Sequence, residues 1–423
     1  MTRQLVPIFA LILGSALLMV AGGLHGLILP LRGSEEGFSA FNLGLLGTGW
    51  AIGYIGGCIA TPRLVRRAGH VRTFAVMAAI AVLSVLIALL LIHPGPWIAL
   101  RALAGFAFAG AAMIVESWLN ESTEFSYRGR VFGVYTMVNL LATTAGQLLV
   151  ALGDASGFFF FVLAAVFYAL SLIPSALTRT AQPRPLVETS LDVGALVRNS
   201  PLAVAGVFLV GMSNSTFGTL GVVYGNGIGL DVTAISLMMS LTILAGSAAQ
   251  VPVGMLSDRI DRRKVLIGLA VVAAVVDLYF LAVRPEAPLV VLAATFVFGG
   301  AIYAMYPVII AHANDHAAPD EFLKISGGLL LVFGVGSIVG PLVGGAAMTF
   351  GPVGMFAATF VAHLALALYG AWRMTRREAV PEGDKQAFVG LAPARLATPE
   401  SVALDPRAEP GEAEQRDRLP GVE

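Results

Sequence analysis

Twelve long apolar runs occupy most of this chain, and they restrict its fold more than any other feature. They lie at about 5–29, 41–62, 73–92, 97–119, 131–152, 158–177, 202–224, 233–256, 265–283, 288–311, 325–350 and 353–372. Each is close to the roughly 20 residues that a helix rising 1.5 Å per residue needs to cross a bilayer. Within lipid, every backbone N–H and C=O must be satisfied internally, which leaves helices and closed strand barrels. Barrels need short alternating segments, and a continuous run such as Phe74–Ile92 is not one. The expected class is therefore an all-α integral membrane protein with twelve transmembrane helices in two six-helix bundles. The intervening breaks carry turn formers, as at Pro30–Gly37, His93–Pro96, Gly153–Gly157, Gly225–Asp231 and Pro285–Pro288.

Composition supports this reading. Only 12% of the residues are charged, against roughly a quarter in a soluble globular domain. Basic and acidic residues balance at 26 each, which removes the case for nucleic acid or another highly charged partner. One cysteine, Cys58, excludes an intramolecular disulfide and a cysteine metal cage. The first run has a single basic flank, Arg3, and no small-x-small site, so it reads as a retained helix rather than a cleaved leader.

Arginine and lysine distribution sets an expected orientation. With a cytoplasmic N-terminus, the inner loops hold Arg3, Arg63, Arg66, Arg67, Arg72, Arg128, Arg130, Arg179, Arg184, Arg198, Arg259, Arg262, Arg263, Lys264 and Lys324. The outer loops hold only Arg32 and Arg284. Both termini should then be cytoplasmic, in a bacterial-type inner (plasma) membrane.

The longest internal break contains Pro183 and Pro185 and divides the chain into a bundle at 1–178, a cytoplasmic loop at 179–200 and a second bundle at 201–373. A shift of about 192–195 residues lays Arg66–Arg72 on Asp258–Lys264 and Gly105 on Gly300. Parallel repeats of this kind suit carriers that bind a solute between two halves. Residues 374–423 hold six prolines, ten acidic and seven basic residues and few large apolar ones. Such a segment buries too little to offset its ordering entropy, so a disordered cytoplasmic tail is expected.

The segment Gly254-Met-Leu-Ser-Asp258-Arg259-Ile-Asp261-Arg262-Arg263-Lys264 resembles the loop signature of the major facilitator superfamily, with Asp261 replacing its second glycine. The first-half counterpart keeps Arg67, Gly69 and Arg72 but has Arg66 at the carboxylate position and Pro62 at the first glycine. Arg101-Ala-Leu-Ala-Gly105 and Gly336-Ser-Ile-Val-Gly340-Pro341-Leu-Val-Gly344-Gly345 also resemble family elements. Together these cover about residues 5–373. Val115-Glu116-Ser117, Tyr127-Arg128-Gly129-Arg130, Tyr135, Gly146 and Gln147 are similar to the YcaD-like branch, whose members have no agreed substrate. The resemblance implies a cytoplasmic latch at Gly254, Asp258, Arg259, Arg262 and Arg263, incomplete in the first half. It also implies that the fourth helix lines the solute path.

Charges within a bilayer are costly and mark functional candidates. Three stand inside apolar runs: Arg101, Glu116 and Asp277. Glu116 reads either as a protonatable coupling group or as a rim gate paired with Arg72 or Arg130. Arg101 either binds an anionic group or ties helices together, and Asp277 reads as a structural partner within its own bundle. Tyr135, Asn139, Thr143 and Gln147 recur every four residues and form one polar stripe. That stripe, the patch around Asn214, and Tyr303 with Tyr306 are candidates for cavity lining or for interhelical hydrogen bonding. His312 and His316 have metal-ligand spacing, but an Asp315 contact to Arg262 or Arg263 is the better reading; no metal or cofactor is expected. His25 and His363 read as packed intramembrane histidines.

The function expected is secondary transport of a small solute by alternating access, with the chain a monomer in lipid and proton coupling through Glu116 left open. No phosphate-cradling GxxxxGK[ST] occurs, and no nucleophile–base constellation suggests an enzyme. A passive facilitator and a membrane sensor signalling through its tail are the alternatives.

Overall fold

The computed structural model describes residues 2–123, 127–177, 186, 192–318, 321–391, 394–403, 405, 407 and 408. Its long helices are α1 (Thr2–Glu35), α2 (Ala40–Ala68), α3 (His70–Leu90), α4 (Pro94–Ser122), α5 (Arg128–Leu149) and α6 (Phe159–Leu177). A short α7 (Val193–Asn199) precedes α8 (Pro201–Gly227), α9 (Val232–Arg259), α10 (Arg262–Val283), α11 (Pro288–Asn314), α12 (Phe322–Ala347) and α13 (Gly354–Met374). Among the described residues, eleven helices are long and apolar enough to cross a membrane, and α6 contributes a shorter apolar stretch, Phe159–Pro174. No strand occurs among the described residues. The chain is a multi-pass, all-α membrane protein.

Local chemistry punctuates the helices where the sequence breaks. Proline opens α4, α8 and α11, where a missing N–H costs nothing. Side chains of Ser39, Asp192, Ser200 and Asp231 accept backbone N–H groups at the starts of α2, α7, α8 and α9. Between α2 and α3, Gly69 sits at φ 81°, in the left-handed region that a residue with Cβ avoids.

Helices of the first half pack α1 on α5 and α6, α2 on α4, and α3 on α4 and α6; those of the second pack α8 on α12, α9 on α11, and α10 on α11 and α13. Contacts between the halves run through α2 with α12, α5 with α9, and α8 with α1 and α2. Small residues let these backbones meet, as lipid supplies no hydrophobic drive between helices. At Gly53 an added Cβ would meet the Ala102 carbonyl of α4. In the other half, Gly340 stands in the same way against Met212 of α8.

The two ends of the bundle differ. At the end away from the arginine-rich turns, Asn226 Nδ2 donates to Ser34 Oγ at 2.9 Å and Thr48 Oγ1 donates to the Ile338 carbonyl at 2.8 Å, both across the halves. At the basic end, the space between the halves is occupied by the chain beyond α13.

That placement corrects the expectation of a disordered tail for its described part. Lys385 Nζ donates to the Ile260 carbonyl at 2.7 Å, and Phe388 N–H donates to Asp258 at 3.2 Å. Leu391 and Gln250 exchange two hydrogen bonds, at 2.8 and 2.9 Å. Further on, Tyr54 Oη donates to the Ala397 carbonyl at 3.0 Å, and Asn120 Nδ2 donates to the Glu400 carbonyl at 3.1 Å. A short helix, α14 (Pro399–Ala403), lies beside α4 and α12. Composition judged the segment by itself, whereas Phe388, Val389, Leu391, Leu396 and Val402 pack on the core that the two halves present. In the central loop, Arg179 and Arg184 lie outside the described residues.

Candidate functional site

Two cavities lie in line between the halves. The central one is lined by Trp50, Arg101, Phe108, Thr143, Gln147, Tyr168, Tyr303 and, from the tail, Arg395. The second is lined by Glu116, Phe132, Tyr135, Asn139, Tyr306, Phe322, Ser401 and Asp405. Leu396 borders both.

Helix α4 carries two of the charged side chains on this path, Arg101 and Glu116. Arg101 is 6% exposed; its Nη1 lies 3.4 Å from His25 Nδ1, and its guanidinium lies 6.0 Å from the Trp50 ring centre. Glu116, 1% exposed, accepts a hydrogen bond from Tyr135 Oη at 2.8 Å on one carboxyl oxygen and a short one from Thr398 Oγ1 on the other. Neither Arg72 nor Arg130 reaches it, so the rim-gate reading of Glu116 does not match the structure. The physical reason is depth: Arg72 and Arg130 are exposed, and Glu116 is enclosed by α5 and the tail. Hydroxyls both donate and accept, so Tyr135 and Thr398 suit either protonation state of this carboxyl.

The α5 stripe faces the path along its length. Tyr135 and Asn139 line the second cavity, and Thr143 and Gln147 line the central one. Ser15 Oγ donates to Asn139 Oδ1 at 2.8 Å, and Ser240 Oγ donates to Gln147 Oε1 at 3.3 Å across the halves. On α11, Tyr303 faces the central cavity and Tyr306 the second. Asn214 departs from the expectation of cavity lining. It is buried and lines neither cavity; on α8, Gly218 rather than Asn214 borders the central one.

Asp277 lies away from both cavities. Fully buried between α10 and α13, it accepts from Thr359 Oγ1 at 2.6 Å and pairs with His363 Nδ1 at 2.6 Å.

The basic turn of the second half is a closed network around Arg262. This guanidinium, 1% exposed as a side chain, donates to Asp315 at 2.6 Å, Ser257 at 2.8 Å and Asp258 at 3.1 Å, and closely to the Gln386 carbonyl of the tail. Arg263 pairs with Asp261 at 2.7 Å and donates to the Arg377 carbonyl. Burial opposes ionisation of Asp261, but the Arg263 hydrogen bonds outweigh it and hold that carboxyl below its ordinary range. Gly254 makes room for the Phe388 ring, and Arg259 is exposed. In the first half, Arg67 and Arg72 are exposed and make no ion pair among the described residues. His312 and His316 stack edge-on at 4.9 Å, and no group of three metal-type ligands occurs among the described residues.

Sequence reasoning missed the partners Tyr54, Gln250, Thr398 and Arg395. Only Arg395 had a local signal, as a lone cation flanked by alanine and leucine.

Two helical halves, joined by hydrogen bonds at one end and holding between them a cavity lined by both, define a membrane transport protein. The chain belongs to the major facilitator superfamily, whose family model matches residues 11–232 and 203–407. It is 26% identical over 340 residues to an uncharacterized MFS-type transporter YcaD of Escherichia fergusonii, covering 79% of this chain and 87% of that one. A YcaD transporter of Escherichia coli O139:H28 is 27% identical over 337 residues, with coverage of 79% and 87%. Among solved structures, the nucleoside transporter NupG superposes with a TM-score of 0.71 at 14% identity, covering 88% of this chain and 98% of that one. A bacterial homolog of the human lysosomal transporter Spinster, inward-facing and occupied, superposes with a TM-score of 0.71 at 16% identity, covering 91% and 98%.

Proposed function

We propose that the chain is a secondary transporter that moves a small solute by alternating access, with both termini cytoplasmic. The observation that carries this reading is the asymmetry of the two ends. Hydrogen bonds from α8 to α1 and from α2 to α12 seal one end, while the halves stand apart at the basic end around the tail. Fifteen basic residues against two in the loops support a cytoplasmic basic end, and on that reading the conformation is inward-facing. Rocking the halves about the central cavity would open the Ser34–Asn226 end and close the other. Glu116, held by two hydroxyls on the path, is the candidate proton carrier. Arg262 with Asp258 and Asp315 stiffens the second half at the cytoplasmic rim.

Cross-linking tests the reading. In a Cys58→Ser background, proteoliposomes carrying Ser34→Cys and Asn226→Cys should take up at least one component of a metabolite mixture. A bifunctional maleimide that ties these two positions should stop that uptake. Uptake that continues through the tied protein would mean that the two ends need not alternate.

A further inference from the structure

Arg395 brings a second guanidinium into a cavity that already holds one. Its position is fixed from both sides: Leu391 is paired with Gln250, and Ala397 and Thr398 are bound by Tyr54 and Glu116. Between these anchors the Arg395 guanidinium lies 5.1 Å from the centre of the Trp50 ring, the ring that Arg101 approaches at 6.0 Å. Among the described residues Arg395 makes no hydrogen bond or ion pair, and the only polar partner of Arg101 is the His25 ring. No carboxylate among the described residues lines the central cavity; in the adjoining one Glu116 is held by Tyr135 and Thr398, and Asp405 is paired with Arg407.

We infer that the central cavity is an organic-anion site, in which Arg101 from α4 and Arg395 from the tail clamp one carboxylate-type group. This deepens the carrier reading above and rests on it. The sign of the ligand follows from Arg101, which belongs to the membrane wall and lines the cavity whatever the tail does. A cationic solute would face that buried guanidinium without a counter-charge, whereas an anion neutralises it through charge-assisted, bidentate hydrogen bonds. Trp50, Phe108, Tyr168 and Tyr303 supply most of the remaining side-chain wall, beside Thr143 and Gln147, so the body of the ligand is mainly apolar or aromatic. The tail thus completes the binding site as well as filling the vestibule.

Thermal unfolding of the purified full-length chain in nanodiscs tests this, with benzoate and 2-naphthoate as anions and benzamide and benzylammonium as matched controls. A ligand that binds the folded state raises the midpoint with its concentration. The two anions should do so and the controls should not. Arg101→Gln and Arg395→Gln should each weaken anion binding at least tenfold, with Arg395→Lys between. Arg395 lies outside the spanning helices, so its variants test the site even if Arg101→Gln fails to fold. The proposal is overturned by no shift with either anion, by an equal shift with benzylammonium, or by Arg395→Gln binding any of the four more tightly, which would make the side chain a plug. Anion binding without uptake into proteoliposomes contradicts the carrier reading and keeps the site. Uptake of a neutral or cationic solute untouched by either arginine contradicts the site and keeps the carrier.

Discussion

Ending the chain after Arg377 should raise the labelling rate of Cys58 by a maleimide, applied from the basic side, by at least tenfold. Cys58 is the one cysteine of the chain, 4% exposed on α2. It lines a pocket whose other walls include α12 and tail residues Ala394, Arg395, Ala397 and Pro399. Removing the tail removes those walls and leaves Tyr54, Gln250 and Glu116 without their tail partners. Wild-type labelling in the same vesicles gives the baseline. Equal rates would mean that the tail does not occupy the vestibule in the membrane. Because the tail lines both cavities, its removal would alter a carrier's path as well as a sensor's signal and does not by itself separate the two.

Glu116→Gln should lower gradient-driven accumulation of solute by at least tenfold and spare exchange down a gradient. Glutamine keeps an oxygen for Tyr135 or Thr398 and adds an N–H₂ donor, so the helix packing around residue 116 persists. What disappears is the exchangeable proton on a carboxyl at the junction of α4, α5 and the tail. General proton-relay roles of this kind fall to intramembrane carboxylates because a buried charge is costly and its neutralisation moves a proton. Accumulation in proteoliposomes under an imposed pH gradient measures it. Unchanged accumulation removes Glu116 from coupling, and loss of both accumulation and exchange assigns it to structure.

Much of the fold was legible because lipid leaves a helix few alternatives. Runs such as 97–119 and 202–224 must satisfy their own backbone, and they appear within α4 and α8 with proline at each start. The charge asymmetry of the loops likewise separates a basic rim from the end where Ser34 meets Asn226. Arg101 and Glu116 were visible as costly charges in apolar surroundings, and the α5 stripe as a four-residue period. Their partners were not visible. His25 reaches Arg101, and His363 reaches Asp277, only through helix packing. The tail was misjudged for a related reason. Its ordering comes from groups more than a hundred residues away, such as Gln250 and Glu116, which no local composition can register.

Alternation of the two ends is the claim on which the rest depends. Spin labels in a Cys58→Ser background, one pair at Ser34 and Asn226 and another at Asn120 and Lys324, report the two ends by pulsed electron–electron distance measurement. The account predicts a short distance at the first pair in the resting protein, with a second population appearing under an imposed pH gradient or bound solute. In that population the first pair lengthens as the second shortens. Distances that move together at both ends, or a Ser34–Asn226 pair that stays short under every condition, would contradict it.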